Sequence, residues 1–142
     1  MNVYADTSFL ASLYVLDANS TAAARRMKRA TLPVLLSSIG EVELINAISL
    51  RCFRKELSST KVKVAQALVL KDLEDGVLLV KALPSTVFER AKQMARNQTP
   101  RLGTRTIDIL HVASALALGA DKFFTFDKRQ ARLARAAGLV VA

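Results

Sequence analysis

"NVYADTS", residues 2–8, is the stretch whose reading settles the architecture. Val3, Tyr4 and Ala5 make a short apolar run, and a helical segment opens from Phe9. An apolar run that stops on an aspartate and passes straight into a helix is a strand-to-helix junction. Asp6 then lies at the carboxyl end of a first strand, the edge of an open α/β sheet where ligands bind. Asp, Thr and Ser are also favoured helix N-caps, and a cap needs no chemistry. On this stretch alone, ligand and cap both stand.

Outward from this junction, short apolar runs alternate with longer segments of helical period, the pattern of a parallel sheet covered by helices. Strands are expected over 2–6, over "VLLSS" at 34–38, in "VLLVKAL" from 77, in "KFFTF" at 122–126, and as a short last strand in "LVVA". Helices are expected over 8–16, 20–30, 41–55, from "SST" at 58–60 to 74, from "PST" at 84–86 to 96, over 106–118, and over 127–137 with Gly138 as the stop. "NQTPRLGT", 97–104, has the composition of a loop. The fold class is α/β, with three layers and a central, mostly parallel sheet.

The 142 residues suit one domain, spanning 1–142, that can bury a full core. No apolar run is long enough to span a bilayer, and no secretory signal pattern precedes the first strand. One cysteine, Cys52, excludes an internal disulfide and a thiolate zinc site. The expectation is a soluble cytoplasmic domain without a membrane partner. Twenty-one Lys and Arg against twelve Asp and Glu leave a net charge of +9. That surplus favours a polyanionic partner, nucleic acid above all, although any one basic cluster reads equally as a solvated helix face.

With only twelve carboxylates, their placement is informative. Asp6 and Asp127 each end a strand and begin a helix, and alternating βα order puts both on one sheet edge. In "EVELINAISL", Glu43 and Asn46 share a helix face that is expected to be largely buried, where a carboxylate is costly unless paired or bound to a cation. Glu41, near the helix start, suits the helix dipole and is read as structural. In "TIDILHVASALAL", Asp108 sits among Ile107, Ile109 and Leu110, either as a dipole partner or as a site residue. His111, three residues on, reads as a satisfied, half-buried side chain rather than a base. Four carboxylates converging on one edge would raise each other's pKa values. Hard divalent cations with oxygen ligands, Mg²⁺ or Mn²⁺, make such a cluster tolerable.

These residues bring a family into view. The chain resembles the PIN-domain ribonucleases, most closely the VapC-type toxins of toxin–antitoxin pairs. The resemblance rests on "VYADTSFLASLY", "EVELINAI" and "TIDILHVASALALGADKFFTFDKRQARLARAAGL", and covers nearly the whole chain. It implies that Asp6, Glu43, Asp108 and Asp127 are the catalytic, metal-binding acids. It implies that Thr7 or Ser8, Asn46 and Thr125 support them, and that Mg²⁺ or Mn²⁺ is the cofactor. The implied activity is metal-dependent endoribonuclease cleavage of RNA. A cognate antitoxin and a homodimer are the partners so implied. Arg101, Arg105, Lys128 and Arg129 border the site and are candidates for holding RNA phosphates.

Rival α/β folds fit less well. A phosphorelay receiver wants an acidic pair after the first strand and an Asp ending a central strand, and neither is present. A haloacid-dehalogenase-like phosphatase wants a second Asp where Ser8 stands. Nucleotide-binding folds want clustered glycines, and the five here lie far apart. A triad hydrolase lacks histidine partners for its single His111. The alternative from a different class is a non-catalytic PIN-like domain that binds RNA or acts as a scaffold.

Overall fold

The computed structural model describes all of residues 1–142. The chain runs β1 (Val3–Ala5), α1 (Thr7–Tyr14), α2 (Ser20–Arg29), β2 (Val34–Ser37), α3 (Ser38–Phe53), α4 (Ser59–Glu74), β3 (Leu78–Lys81), α5 (Thr86–Leu102), α6 (Thr106–Ala117), β4 (Lys122–Phe124), α7 (Lys128–Ala136) and β5 (Val140–Val141). The five strands form one sheet in the order β3-β2-β1-β4-β5, and every pairing is parallel.

Strand periodicity sorts the core into two halves. Side chains alternate across a strand, so Val3 and Ala5 of β1, Val34 and Leu36 of β2 and Phe124 of β4 fall in one apolar cluster with Phe9, Leu10, Leu44 and Ile48. Tyr4, Leu35 and Phe123 point the other way, into a second cluster with Val87, Val112, Ala113 and Leu133. Helices α1–α4 thus cover one face and α5–α7 the other, which makes three α/β/α layers. Chain order builds outward from β1 through β2 to β3, then returns to β4 on the opposite side. The strand order therefore reverses between β1 and β4. A crevice opens at that point, outside the carboxyl ends of the two strands.

Two expectations need correction. The segment 97–104 is not a loop: α5 continues through Pro100 to Leu102. In the last turn, proline removes only the N–H that would meet the Arg96 carbonyl. The helix stops at Gly103, whose φ of 62° and N–H bond to the Thr99 carbonyl make a left-handed C-terminal cap. Helix α3, expected to be largely buried, buries only the stripe Gly40, Leu44 and Ile48. Val42 and Ile45 emerge on the surface at 69% and 36% exposure. They line a groove of about 420 Å³ against Val69, Leu70 and Leu73 of α4. One covering layer lies over the sheet here, so the outer half of this apolar helix has nothing above it. No helix is long and apolar enough to cross a membrane.

Candidate active site

The crevice between β1 and β4 is where the acids gather. β1 ends at Ala5, and the Asp6 N–H still bonds the Phe124 carbonyl at 3.1 Å, which holds Asp6 at the mouth of the sheet. Its Oδ1 accepts from the Phe9 N–H at 2.9 Å and from Ser8 Oγ at 2.7 Å, and its Oδ2 accepts from Thr125 Oγ1. Asp6 thus caps α1 from a position at the mouth of the crevice. Asp6 is fully buried. Burial pushes its carboxyl above the usual aspartate value, and the Thr125 hydrogen bond offsets this only in part.

A closed ring of contacts joins the four acids. Thr125 Oγ1, which holds Asp6, also accepts from the Asp127 N–H at 2.9 Å. Asp127 caps α7 through Oδ1, accepting from the Arg129 and Gln130 N–H groups. Its Oδ2 lies 3.4 Å from Arg105 Nη2. The same guanidinium meets Asp108 at 3.3 Å through both Nε and Nη2, and the Arg105 N–H donates to Asp108 Oδ2 at 2.9 Å. From Asp108, α6 carries the chain one turn to His111, whose Nε2 lies 2.6 Å from Glu43 Oε1. Thr7, next to Asp6, donates to the same Glu43 oxygen and closes the circuit. Burial alone would raise the Glu43 carboxyl, but hydrogen bonds from His111 and Thr7 outweigh it and hold the group below the ordinary glutamate value. Asp108 is fully buried, whereas the Glu43 and Asp127 side chains retain 31% and 26% exposure, so the ring opens to solvent on their side.

Of the residues singled out in the sequence, Asp6, Thr7, Ser8, Glu43, Asp108, Thr125, Asp127 and Arg105 are brought together here. Asn46 is not: it is exposed and bonds to none of the acids. Arg101 is an exposed residue at the end of α5 that bonds Gln98 at 2.5 Å. Lys128 and Arg129 are exposed on the first turn of α7. Sequence reasoning missed the group behind Glu43. His111 is fully rather than half buried, with its Nδ1 2.9 Å from the Tyr4 hydroxyl, itself 3.2 Å from Ser37 Oγ. A hydroxyl in the middle of the apolar run "VYA" was the available signal.

The donor set is entirely oxygen and anionic, the chemistry that suits a hard divalent cation. As the side chains stand, no three His, Cys, Asp or Glu groups converge into a metal cage. Positive charge at Asp108 and Asp127 comes from Arg105.

Solved structures share this fold. VapC20 from Mycobacterium tuberculosis, a Sarcin-Ricin loop cleaving toxin, is 23% identical with a TM-score of 0.73, over 98% of this chain and 97% of that one. FitAcB from Neisseria gonorrhoeae is 18% identical with a TM-score of 0.69, over 98% and 95%. PAE2754 from Pyrobaculum aerophilum is 15% identical with a TM-score of 0.61, over 99% and 83%. No curated protein sequence matches the chain. A family model, the PIN domain, matches residues 3–136 and so takes in all five parallel strands but the last, together with every acid of the ring. With that span matched, the chain belongs to the PIN domain family.

Proposed function

We propose that the chain is a metal-dependent endoribonuclease, the toxin of a type II toxin–antitoxin pair, that hydrolyses RNA phosphodiesters at the ring of Asp6, Glu43, Asp108 and Asp127. The observation that carries this reading is the ring itself. Four carboxylates are linked through Thr7, Thr125, Arg105 and His111 around the strand-order reversal of a parallel sheet, in a chain whose net charge is +9. An acidic centre on a basic domain suits a polyanionic substrate held for cleavage. Family membership and the likeness to VapC20 support the same class of activity.

The four acids would hold Mg²⁺ or Mn²⁺, with Thr7, Ser8 and Thr125 fixing their orientation. When bound, such an ion supplies Lewis acidity that activates water and stabilises charge on the departing oxygen. The chain's own contribution is positioning. Asp6 is locked by three hydrogen bonds, and Glu43 by two. In-line attack leaves a 3′-hydroxyl and a 5′-phosphate. Arg105, over half exposed, would be free to meet a substrate phosphate if Asp108 and Asp127 held the cation instead. The exposed apolar groove between α3 and α4 supports a protein partner, the antitoxin or a second copy of the chain, in a cytoplasmic complex.

Cleavage of end-labelled small RNAs tests this, run with Mn²⁺, Mg²⁺ and chelator beside Asp6→Asn and Asp108→Asn. Metal-dependent cuts that vanish in both variants are expected. Cuts that persist in both would overturn the assignment of the acids. RNA that is shifted in a gel but never shortened would favour the non-catalytic binding domain.

A further inference from the structure

Beside the acid ring, sharing Thr125 and Asp127 with it, lies a groove of about 690 Å³. One wall is α2, which contributes Arg26. The other is the face of α7 bearing Lys128, Arg132 and Arg135 at positions i, i+4 and i+7. None of these four cations is in an ion pair, although six pairs of Lys or Arg with a carboxylate occur elsewhere in the molecule. The one acidic side chain on the groove is Asp127, at the end where it meets the ring. Arg26 is held in place: its guanidinium stacks over the Phe126 ring at 4.7 Å, and Nη1 donates to the Thr125 carbonyl at 3.4 Å. Thr125 is also the residue that holds Asp6. Past Arg26 the surface continues into a second hollow bearing Arg29 and Lys122.

We propose that this trough binds the sugar-phosphate backbone of the RNA strand where it runs away from the acid ring. The inference rests on the nuclease reading above and adds the path of the substrate. The shape favours a strand over a small anion. Seven helical steps take Lys128 to Arg135, a span of about 10 Å along the α7 axis, and the second hollow lengthens it. An open trough of unpaired cations with one aromatic ring is the kind of surface that tracks a single-stranded backbone. Its junction with Asp127 favours RNA over an acidic protein segment, since a strand presenting a phosphate to the ring must leave across adjoining surface.

The test measures binding of a single-stranded RNA oligonucleotide to the whole chain in chelator, across a series of salt concentrations. Arg132 and Arg135 are exposed, so Arg132→Glu with Arg135→Glu leaves the core intact. Lys61→Glu with Lys63→Glu, on exposed positions of α4, imposes the same charge change elsewhere. The groove pair is expected to weaken binding about tenfold or more and to reduce the slope of log K against log salt by about 1.4, the value for two lost phosphate contacts on a single strand. The α4 pair is expected to stay near wild type. Equal losses in both pairs would reduce the effect to net charge and overturn the proposal. So would unchanged RNA binding with loss of binding to a poly-glutamate peptide, which would make the groove a site for acidic protein. Wild-type protein that cuts no RNA with Mn²⁺, yet shows the groove-specific slope change, would refute the nuclease reading and leave the groove standing.

Discussion

His111 Nε2 lies 2.6 Å from Glu43 Oε1 while its Nδ1 lies 2.9 Å from the Tyr4 hydroxyl, so one buried imidazole ties α3 to the central strand. A carboxylate only accepts, so Nε2 carries the hydrogen. Removing the ring takes one of two partners from the buried Tyr4 hydroxyl and one of two from Glu43. His111→Ala is expected to lower stability by about 2–3 kcal/mol and Tyr4→Phe by about 1 kcal/mol, magnitudes typical of buried hydrogen-bond loss. Because the two share one bond, the double variant loses less than the sum. Urea denaturation of the three variants measures this, and strict additivity would show that no such network operates.

Asp6 is held at a cost to the fold. Burial pushes its carboxyl up by more than its hydrogen bonds and nearby His111 pull it down, which means that the ionised form is disfavoured in the folded state. Asp6→Asn keeps an oxygen to accept from the Phe9 N–H and removes the charge. In chelator, the variant is expected to melt above the wild type, by an amount corresponding to about 1 kcal/mol. In Mn²⁺ the order reverses, because only the wild type gains stability from the ion. A variant that melts lower in chelator and responds to Mn²⁺ like the wild type would remove Asp6 from the site.

Arg105 competes for the same two acids. Its guanidinium bridges fully buried Asp108 and partly exposed Asp127. Arg105→Ala leaves the Asp108 charge with one backbone donor, which is expected to destabilise the metal-free protein by about 1–3 kcal/mol. The same change clears the acids, so the thermal shift on adding Mn²⁺ is expected to be larger than in the wild type. Calorimetry with and without the ion reads both effects. A smaller shift would mean that Arg105 assists the cation rather than standing in for it.

How much of this was legible in the sequence differs by residue. The junction at Asp6 and the strand end before Asp127 follow from local pattern, since an apolar run meeting a helix leaves little choice. Parallel order then puts both on one edge, as the β1–β4 register of Ala5 against Phe124 shows. Arg105 was visible as a cation near the site, and its i,i+3 spacing to Asp108 permitted the contact that the structure makes. Asn46 failed because residues three apart on a helix sit about 60° around from each other, enough here to turn it out to solvent. The His111–Glu43–Tyr4 link was not legible at all. Its members lie 68 and 107 residues apart, and no periodicity reports a hydrogen bond across layers. The helix through Pro100 was misread because composition marks a loop, whereas the stop is a backbone conformation at Gly103.

Tyr14 gives a pH dependence away from the acids. Its hydroxyl donates to Asp72 Oδ2 at 2.5 Å, joining α1 to α4. Burial, then the Asp72 hydrogen bond and charge, raise its phenol well above the ordinary value of 10.0, and burial does the same for Tyr4. These are the only two tyrosines in the chain. A group whose pKa is raised on folding adds stability that is full below the unfolded value and is lost as pH rises past it. Stability is therefore expected to hold up to about pH 10, the unfolded tyrosine value, and to fall above it as the unfolded chain releases protons that the folded one keeps. Phenolate absorbance and loss of helical circular dichroism should then rise together in an alkaline titration. Tyr14→Phe is expected to lower stability at neutral pH by about 1–2 kcal/mol, the scale for a hydrogen bond to a charged partner, and to flatten the alkaline decline. Phenolate appearing near pH 10 while the helical signal stays native would show that the two hydroxyls are not held as described.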